Sequence, residues 1–207
     1  MPLAQPGLKI LALSPHTDDA ELGAGATIAR LVDEGAIIHV IAFSTGNKDT
    51  GAHYHEFEQA CSELGVAYGE ALGFGARRFN DFRQDILQWM WDAYGSWEPQ
   101  VVMCPPLEDR HQDHVVVAQE AVRAFKYATI LAYEEPTSVG AGCYCPDWWF
   151  RVDESHMQRK LLAIDRYVSQ KERVGMDADT IMATATMRGA QCGARYAEAF
   201  QLIRHVE

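Results

Sequence analysis

Short apolar segments alternate with amphipathic segments along the chain from Leu8 to Tyr133. The apolar segments have the length and the Ile and Val content of buried strands, and the segments between them carry apolar residues at helical spacing. This alternation is typical of a mostly parallel sheet with helices on both faces, so the predicted fold class is α/β and Rossmann-like. We predict strands at 8–13, 36–43, 66–72, 100–104 and 128–133, and helices at 21–34, 53–64, 79–94 and 115–127.

The rest of the chain is predicted to complete the same domain. A loop rich in Gly, Cys and Pro at 138–146 leads to a strand at 148–150, and the C-terminal tail from about Glu154 is predicted to be mostly helical. No internal repeat, low-complexity segment or linker-like stretch divides the sequence. Because 207 residues is an ordinary length for one domain, we expect residues 1–207 to form a single domain.

Charge and cysteine content narrow the classes of partner. Eighteen basic residues against 29 acidic ones give a formal net charge of −11, which repels phosphates at long range and argues against nucleic acid as a partner. No apolar run approaches the roughly 18 residues of a membrane span, and no signal peptide is predicted. Five cysteines without a C-x-x-C motif are typical of reduced thiols; Cys143 and Cys145 are expected to be loop cysteines. We expect a cytoplasmic protein that acts on small molecules.

Residues of the types that bind metals are concentrated in two segments, and each directly follows a predicted strand. The first is SPHTDDAE at 14–21, and the second is PPLEDRHQDH at 105–114. Because the carboxyl ends of strands line the ligand crevice of an open α/β sheet, we expect the two segments to meet there. Imidazole and carboxylate together suit Zn²⁺, and three protein ligands plus a water is the usual catalytic arrangement.

The residues alone leave several alternatives open. Either or both of His111 and His114 could bind a metal, and of Asp18 and Asp19 one could bind it while the other accepts a proton from water. The two aspartates could also be ordinary N-terminal caps of the following helix. The segment GAGATI at 23–28 begins like a dinucleotide-binding motif but lacks its third glycine. Its glycines more simply allow the helix to pack closely on the sheet.

These motifs resemble those of the PIG-L/LmbE superfamily of zinc-dependent de-N-acetylases. The matching segments are PHTDDAELGAGATIARL, PPLEDRHQDH about ninety residues later, and YVSQ, MRGAQCG and YAEAF in the tail. The resemblance extends from about Ile10 to Phe200, which is nearly the whole chain. It implies hydrolysis of an N-acetyl amide to acetate and a free amine, with Zn²⁺ as the cofactor and another divalent metal as the alternative. It also implies a homo-oligomer, a trimer or a hexamer.

The resemblance assigns roles to six residues of this chain. His16, Asp19 and His114 are implied as the zinc ligands, and Asp18 as the general base that acts on water. His111 is implied to stand near the substrate carbonyl, where it stabilises the oxyanion or protonates the leaving amine. Asp113 is implied to orient His111. This assignment resolves which histidine of the second segment is the metal ligand.

The segment STGNKDTGAHYHEFE departs from the family pattern, because it lacks the arginine that many relatives place there for substrate contact. His53 and His55 occupy this segment instead and become candidate substrate contacts, together with Arg110 and with Arg188 in the tail. Arg77 and Arg78, like Arg110, could supply positive charge near the crevice. Trp148 and Trp149 are expected to be core or subunit contacts rather than a platform for a sugar ring.

The leading hypothesis is a zinc-dependent hydrolase that removes the acetyl group from an N-acetylated amino sugar or its conjugate. The nearest alternative is a zinc amidase that cleaves another N-acyl substrate, such as a thiol conjugate or an acylated natural product. A metal-binding protein without turnover is the third hypothesis, and the presence of Asp18 beside the predicted ligands argues against it.

Overall fold

The structure, a computed structural model, describes residues 5–46, 51–138, 144–171, 173 and 175–207. Strands β1 to β7 span Lys9–His16, Ile37–Ser44, Tyr68–Ala71, Val101–Cys104, Thr129–Tyr133, Trp148–Val152 and Tyr196–Arg204. Helices α1 to α6 span Asp19–Asp33, Ala52–Leu64, Arg83–Trp97, Gln112–Ala124, Glu154–Asp165 and Ala178–Cys192, and a short 3-10 helix spans Val168–Gln170. No helix among these residues has both the length and the apolar composition needed to cross a bilayer.

The seven strands form one sheet in the order β3-β2-β1-β4-β5-β7-β6. The first five strands in this order are parallel, and β7 runs antiparallel to both β5 and β6. The predicted α/β class is confirmed. Because β1 pairs with β2 on one side and with β4 on the other, the chain changes direction across the sheet at β1. The carboxyl ends of β1 and β4 therefore border the crevice in which such folds bind ligands.

Alternate residues of the central strands point to opposite faces of the sheet and build two separate cores. On one face, Ile10 and Ala12 of β1 pack in a cluster with residues of α1, α2 and α5. On the other face, Leu11 and Leu13 pack in a cluster with residues of α3 and α4. Burying one such Leu or Ile side chain contributes about 1.5–3 kcal/mol. The two cores hold β1 firmly between helical layers, so the position of its carboxyl end is well determined.

Helix α1 lies unusually close to the sheet because of Gly23. A Cβ atom at this position would come within 2.3 Å of the Tyr133 ring, and the Tyr133 hydroxyl donates to the Leu13 carbonyl at 3.0 Å. The prediction that the glycines of GAGATI serve close packing is therefore confirmed at Gly23. The contact fixes the height of α1 above β1 and so places the first turn of the helix at the crevice.

The C-terminal tail differs from its prediction at the last element. The tail is helical through α6, as expected, but Tyr196–Arg204 forms β7 inside the sheet, between β5 and β6. Glu198 of β7 is buried because its carboxylate pairs with Lys160 at 2.5 Å and accepts from the backbone N–H groups of Ala26 and Thr27. A buried charge that is fully paired is tolerated in a strand interior. The tail thus connects the sheet to the middle of α1.

The starts of helices α4 and α3 differ from their predictions, and one of the predicted loop cysteines lies outside the described residues. Helix α4 begins at Gln112 rather than at residue 115, so His111 becomes its N-terminal cap and His114 lies in its first turn. Helix α3 begins at Arg83 rather than at residue 79. Of the predicted loop cysteines, Cys145 is an exposed free thiol, and Cys143 lies outside the described residues.

Candidate metal and catalytic site

The turn between β1 and α1 brings His16 and Asp19 together. His16 is the last residue of β1 and Asp19 is the first residue of α1. The Asp19 Oδ2 atom accepts from the His16 backbone N–H at 2.8 Å and lies 3.0 Å from His16 Nδ1. Asp18 makes no side-chain capping bond, whereas the Ser14 hydroxyl accepts from the Ala20 N–H at 3.0 Å. Asp18 is therefore not an ordinary helix cap, and its side chain is available for another role.

The turn between β4 and α4 supplies the second half of the site. His114 is almost fully buried, and its Nε2 atom lies 3.2 Å from Asp19 Oδ2. Its other ring nitrogen, Nδ1, lies 3.1 Å from Asp109 Oδ2. The Asp109 Oδ1 atom accepts from the His111 backbone N–H at 2.7 Å, and the Ser138 hydroxyl donates to Asp109 Oδ2 at 2.7 Å. Asp109 therefore holds the whole turn as well as the His114 ring.

Among the described residues, two groups of three side chains have donor atoms that converge within 4.8 Å: His16, Asp19 and His114, and His16, His111 and Asp113. The two groups differ in how their carboxylates are satisfied. Asp113 accepts from the backbone N–H groups of Arg77 at 2.5 Å and Phe79 at 3.3 Å, and also lies 3.1 Å from His16 Nε2. Asp19 is fully buried, yet its Oδ1 atom has no hydrogen-bond partner. The geometry therefore favours the first group as metal ligands.

Each histidine of the favoured group has a carboxylate behind it. Asp113 lies against the Nε2 atom of His16, and Asp109 lies against the Nδ1 atom of His114. Carboxylates in this arrangement fix the tautomer of a metal-binding histidine and increase its basicity. The donor set of two imidazoles and one carboxylate is one that zinc binds in hydrolases. The residues present therefore fit a divalent zinc ion.

The electrostatics of the cluster favour a cation. Burial alone would lower the pKa of His16, but Asp19 and the hydrogen bond with Asp113 raise it to about 9. Burial is likewise outweighed at His114, where Asp19 and Asp109 raise the pKa to about 10. Burial would raise the pKa of Asp19, but the two histidines hold it well below its usual range. Binding a metal replaces these protons with a more concentrated positive charge.

Asp18 lies beside the ligands and pairs with Arg173, whose Nη1 atom is 2.6 Å from Asp18 Oδ2. Arg173 also lies 3.7 Å from Asp19 Oδ1 and 3.6 Å from Glu135 Oε1. Burial raises the pKa of Asp18, Asp19 raises it further, and Arg173 only partly opposes this change. A carboxyl group with a raised pKa is better matched to accepting a proton near neutral pH.

His111 lines the same cavity as Asp18. Its Nδ1 atom accepts from the Asp113 backbone N–H at 3.2 Å, so the neutral ring carries its proton on Nε2. Burial and the neighbouring His114 and His16 lower the pKa of His111. The contact of Asp113 with His111 is thus made through its backbone N–H. Its carboxylate also lies 3.1 Å from His16 Nε2, and the role of Asp113 in orienting His111 stays a prediction.

The cavity at this site has a volume of about 320 Å³. Its lining contains His16, Asp18, His111 and His114 of the two motifs, together with Arg77 and Arg173. Larger grooves of about 550 and 520 Å³ lie elsewhere, at the opposite end of the central strands and beside α3, and neither is lined by a metal-binding group within the described chain.

The four residues predicted as substrate contacts all lie outside this lining. His53 Nδ1 lies 2.6 Å from the Thr45 carbonyl oxygen, and the His55 side chain is 69% exposed. Arg110 is exposed, and its backbone N–H donates to the Ser138 carbonyl, whereas its side chain has no hydrogen-bond partner in the part of the chain that the structure describes. The Nε atom of Arg188 donates to Glu134 at 2.8 Å, away from the metal-binding side chains. The sequence could not show these orientations, because they depend on whether the folded chain exposes each side chain or pairs it with another residue.

Asp109 and Arg173 contact site residues but are not among the residues predicted from the sequence. Asp109 lies inside the second motif, and its spacing of five residues from His114 was a usable indication. Arg173 lies three residues after the YVSQ segment and reaches the site only because the chain after α5 folds back over α1. Nothing in the local pattern around Arg173 distinguishes it from a surface arginine.

The sequence has relatives among known proteins. The family model described as GlcNAc-PI de-N-acetylase (PIG-L) matches residues 11–125. The chain is 31% identical over 169 residues to the uncharacterized deacetylase YaiS of Escherichia coli, and the match covers 77% of this chain and 90% of YaiS. It is 26% identical over 224 residues to the diacetylchitobiose deacetylase of Thermococcus kodakarensis, covering 94% of this chain and 83% of that enzyme.

Among solved structures, the conserved protein TT1542 from Thermus thermophilus is similar along its whole length. The TM-score is 0.79 at 24% identity, and the superposition covers 97% of this chain and 96% of TT1542. At this identity the likeness shows that the fold is shared.

Proposed function

The chain belongs to the GlcNAc-PI de-N-acetylase (PIG-L) family of deacetylases, and we propose that it removes the N-acetyl group from an amino sugar or an amino-sugar conjugate by metal-assisted hydrolysis. The observation that carries this proposal is the convergence of His16, Asp19 and His114 on one point, with Asp18 beside them in the same cavity. A site that only stored a metal would have no need of a buried carboxylate beside its ligands that is not itself one of them.

His16, Asp19 and His114 would hold a zinc ion, with Asp113 and Asp109 supporting the two imidazole rings. The Oδ1 atom of Asp19 supports this assignment, because it is buried without a hydrogen-bond partner and only the Arg173 guanidinium lies near it, at 3.7 Å. When bound, zinc would polarise the amide carbonyl and lower the pKa of a nearby water.

Asp18 would act as the general base. It accepts one proton from the attacking water while the water oxygen forms a bond to the acetyl carbon. Its carboxylate is buried, and Arg173 holds one oxygen at 2.6 Å, so the side chain has little freedom to rotate. Positioned proton transfer of this kind contributes typically 10²–10⁴-fold to a rate.

His111 would donate from Nε2 to the negative oxygen that develops on the acetyl group. Its Nδ1 atom accepts from the Asp113 N–H, which keeps the proton of the neutral ring on Nε2. The carbon–nitrogen bond then breaks as the leaving nitrogen takes the proton held by Asp18, which returns the Asp18 carboxylate to its charged form. The products are acetate and a free amine. Loss of one oxyanion donor typically costs about 10²–10³ in rate.

The remainder of the cavity suits a hydroxyl-rich substrate. Thr17, Thr45, Ser138 and Gln170 line it with neutral polar side chains that can exchange hydrogen bonds with sugar hydroxyls. A volume of about 320 Å³ is at the lower end for small-molecule sites and fits a compact ligand. The diacetylchitobiose deacetylase relative, which by its name acts on an N-acetylated disaccharide, supports the same class of substrate.

A substrate panel tests the proposal against the amidase alternative. The zinc-loaded protein would be incubated with N-acetylglucosamine, diacetylchitobiose and a set of bulkier non-sugar N-acyl amides, and released amine would be quantified. We expect amine release from at least one N-acetylated sugar. Turnover of a non-sugar amide with no turnover of any sugar would replace the proposal by the amidase alternative.

The cytoplasmic location, the homo-oligomer and the single domain over residues 1–207 stay predictions.

A further inference from the structure

Arg77 is an exposed residue at the lining of the cavity, and its positive charge is not neutralised by any residue that the structure describes. The lining contains two arginines, and the other one, Arg173, is paired with Asp18 and lies near Asp19 and Glu135. Within the described chain, the Arg77 guanidinium has neither an ion-pair nor a hydrogen-bond partner, and only its backbone is bound. Every other arginine except Arg110 has an acceptor for its guanidinium.

The backbone of Arg77 is fixed in a conformation that is unfavourable for a residue with a Cβ atom. Its φ angle is 66°, in the left-handed region that glycine adopts easily. The Arg77 N–H donates to Asp113 Oδ2 at 2.5 Å, and the Arg77 carbonyl accepts from Gln112 Nε2 at 2.8 Å. Both partners, Gln112 and Asp113, lie within the second motif segment, PPLEDRHQDH at 105–114. The base of the Arg77 side chain is therefore held at a constant position relative to His16 and His111, despite the strain.

The positive charge of Arg77 matters for ligand binding because the chain as a whole is negatively charged. The chain carries a net charge of −11, so an anionic ligand is repelled at long range. The lining residues offered above as contacts for sugar hydroxyls, such as Thr45, Ser138 and Gln170, are neutral. We propose that Arg77 forms a subsite for an anionic substituent, a phosphate or a carboxylate, on the N-acetylated substrate. This inference rests on the proposed function.

The experiment compares kcat/KM of the zinc-loaded enzyme on neutral and anionic forms of one sugar. N-acetylglucosamine is the neutral compound, its 1-phosphate and 6-phosphate are the phosphate arms, and N-acetylmuramic acid is the carboxylate arm. Arg77→Asn removes the charge but tolerates the left-handed backbone, and Arg77→Lys keeps a charge. Arg78→Asn is the matched control, because Arg78 is exposed and paired with Asp81. Arg110→Asn tests the other unpaired arginine.

We expect the wild type to prefer at least one anionic compound over N-acetylglucosamine. The ratio of the two kcat/KM values should fall roughly ten- to a hundredfold in Arg77→Asn, since a hydrogen bond to a charged group is involved. It should fall less in Arg77→Lys and stay unchanged in Arg78→Asn. The arm that shows the preference identifies the phosphate or the carboxylate. A wild type without preference, a ratio that survives Arg77→Asn, or a ratio that depends on Arg110 instead overturns the proposal.

Binding separates this inference from the proposed function. If none of the sugars is hydrolysed, the proposed function fails, and the same compounds are then tested by isothermal titration with the zinc-loaded wild type and Arg77→Asn. Tighter binding of an anionic sugar that is lost in Arg77→Asn upholds the subsite. Equal binding of anionic and neutral sugars, or no binding of either, refutes it.

Discussion

Asp109 and His114 are joined through Oδ2 and Nδ1 at 3.1 Å, and both side chains are almost fully buried. The contact leaves Nε2 of His114 to face Asp19, so a residue that touches no substrate determines which nitrogen the metal site can use. The same carboxylate also accepts from the His111 N–H and from the Ser138 hydroxyl. Three parts of the crevice therefore depend on the charge and position of one aspartate.

Asp109→Asn should weaken zinc binding by about 10–100-fold, because loss of such a supporting carboxylate has that typical cost. Affinity would be measured by competition with a chromophoric chelator. Asp81→Asn, at an exposed aspartate that pairs with Arg78, is the control and should bind zinc like the wild type. Equal zinc affinity of Asp109→Asn and the wild type would show that the contact has no influence on the metal.

Asp18→Asn should retain zinc and lose hydrolysis, with kcat lower by about 10²–10⁴-fold. The amide has the shape of the carboxyl group and can still accept from Arg173, but it cannot accept a proton from water. Zinc content by elemental analysis and amine release would be measured on the same preparation. Asp165→Asn, at an exposed residue, is the control. Hydrolysis at the wild-type rate would remove Asp18 from the base role.

His114→Ala should lose the metal itself, since it deletes one of three converging donors. Zinc at a hundredfold excess over its dissociation constant stabilises the wild type by about 2.7 kcal/mol. For a chain of this size that corresponds to a rise in Tm of roughly 5–10 °C. Removing zinc with a chelator should therefore lower the Tm of the wild type and leave that of His114→Ala unchanged. An equal response of both proteins would exclude His114 as a ligand.

His39 should make stability depend on pH independently of the metal site. Its ring stacks on Trp97 at a centroid distance of 3.8 Å, and burial together with the nearby Lys9 lowers its pKa. The unfolded chain then takes up this proton at a higher pH than the folded protein does. The stability contribution is therefore full above the ordinary pKa of 6.5 and is lost as the pH falls through 6.5 toward the lower pKa of the folded state.

His39→Phe retains a ring for stacking and removes the titration. Urea midpoints at pH 7.5 and pH 5.5 (both about one unit from the ordinary histidine pKa) would be compared with those of the wild type. We expect the wild type to lose more stability on acidification than His39→Phe does. His55→Asn, at an exposed histidine, serves as the control and should follow the wild type. A wild type and a His39→Phe variant with the same pH dependence would contradict the assignment.

The parallel half of the sheet and the two motif segments could be predicted from the sequence because their patterns are local. Apolar runs and helical spacing indicate the elements from Leu8 to Tyr133, and the metal-binding residue types at two strand ends indicate why the two motif segments should meet. The choice of His114 over His111 as the ligand comes only from the family resemblance. The pairings that complete the site are not local. Asp113 binds the backbone of Arg77 and Phe79, and Arg173 reaches Asp18, and neither contact leaves a pattern within a short window of sequence.

The same limit applies to β7. The segment from Tyr196 to Arg204 contains an internal glutamate that argues against a buried strand until its partners are known. Only the folded chain shows that Lys160 and the backbone of α1 satisfy Glu198. The identity of β7 is therefore a tertiary property, which neither propensity nor periodicity encodes.

The interior position of β7 has a consequence for biosynthesis. Residues 196–204 leave the ribosome after all the other strands, yet they separate β6 from β5 in the finished sheet. Until they arrive, β5 has an open edge and β6 has no strand to pair with. The parallel half can assemble before residues 196–204 are synthesised, whereas closure of the sheet and the Glu198 contact with α1 must wait for them. Nascent chains stalled before residue 196 should therefore be captured by chaperones that recognise unpaired strand edges.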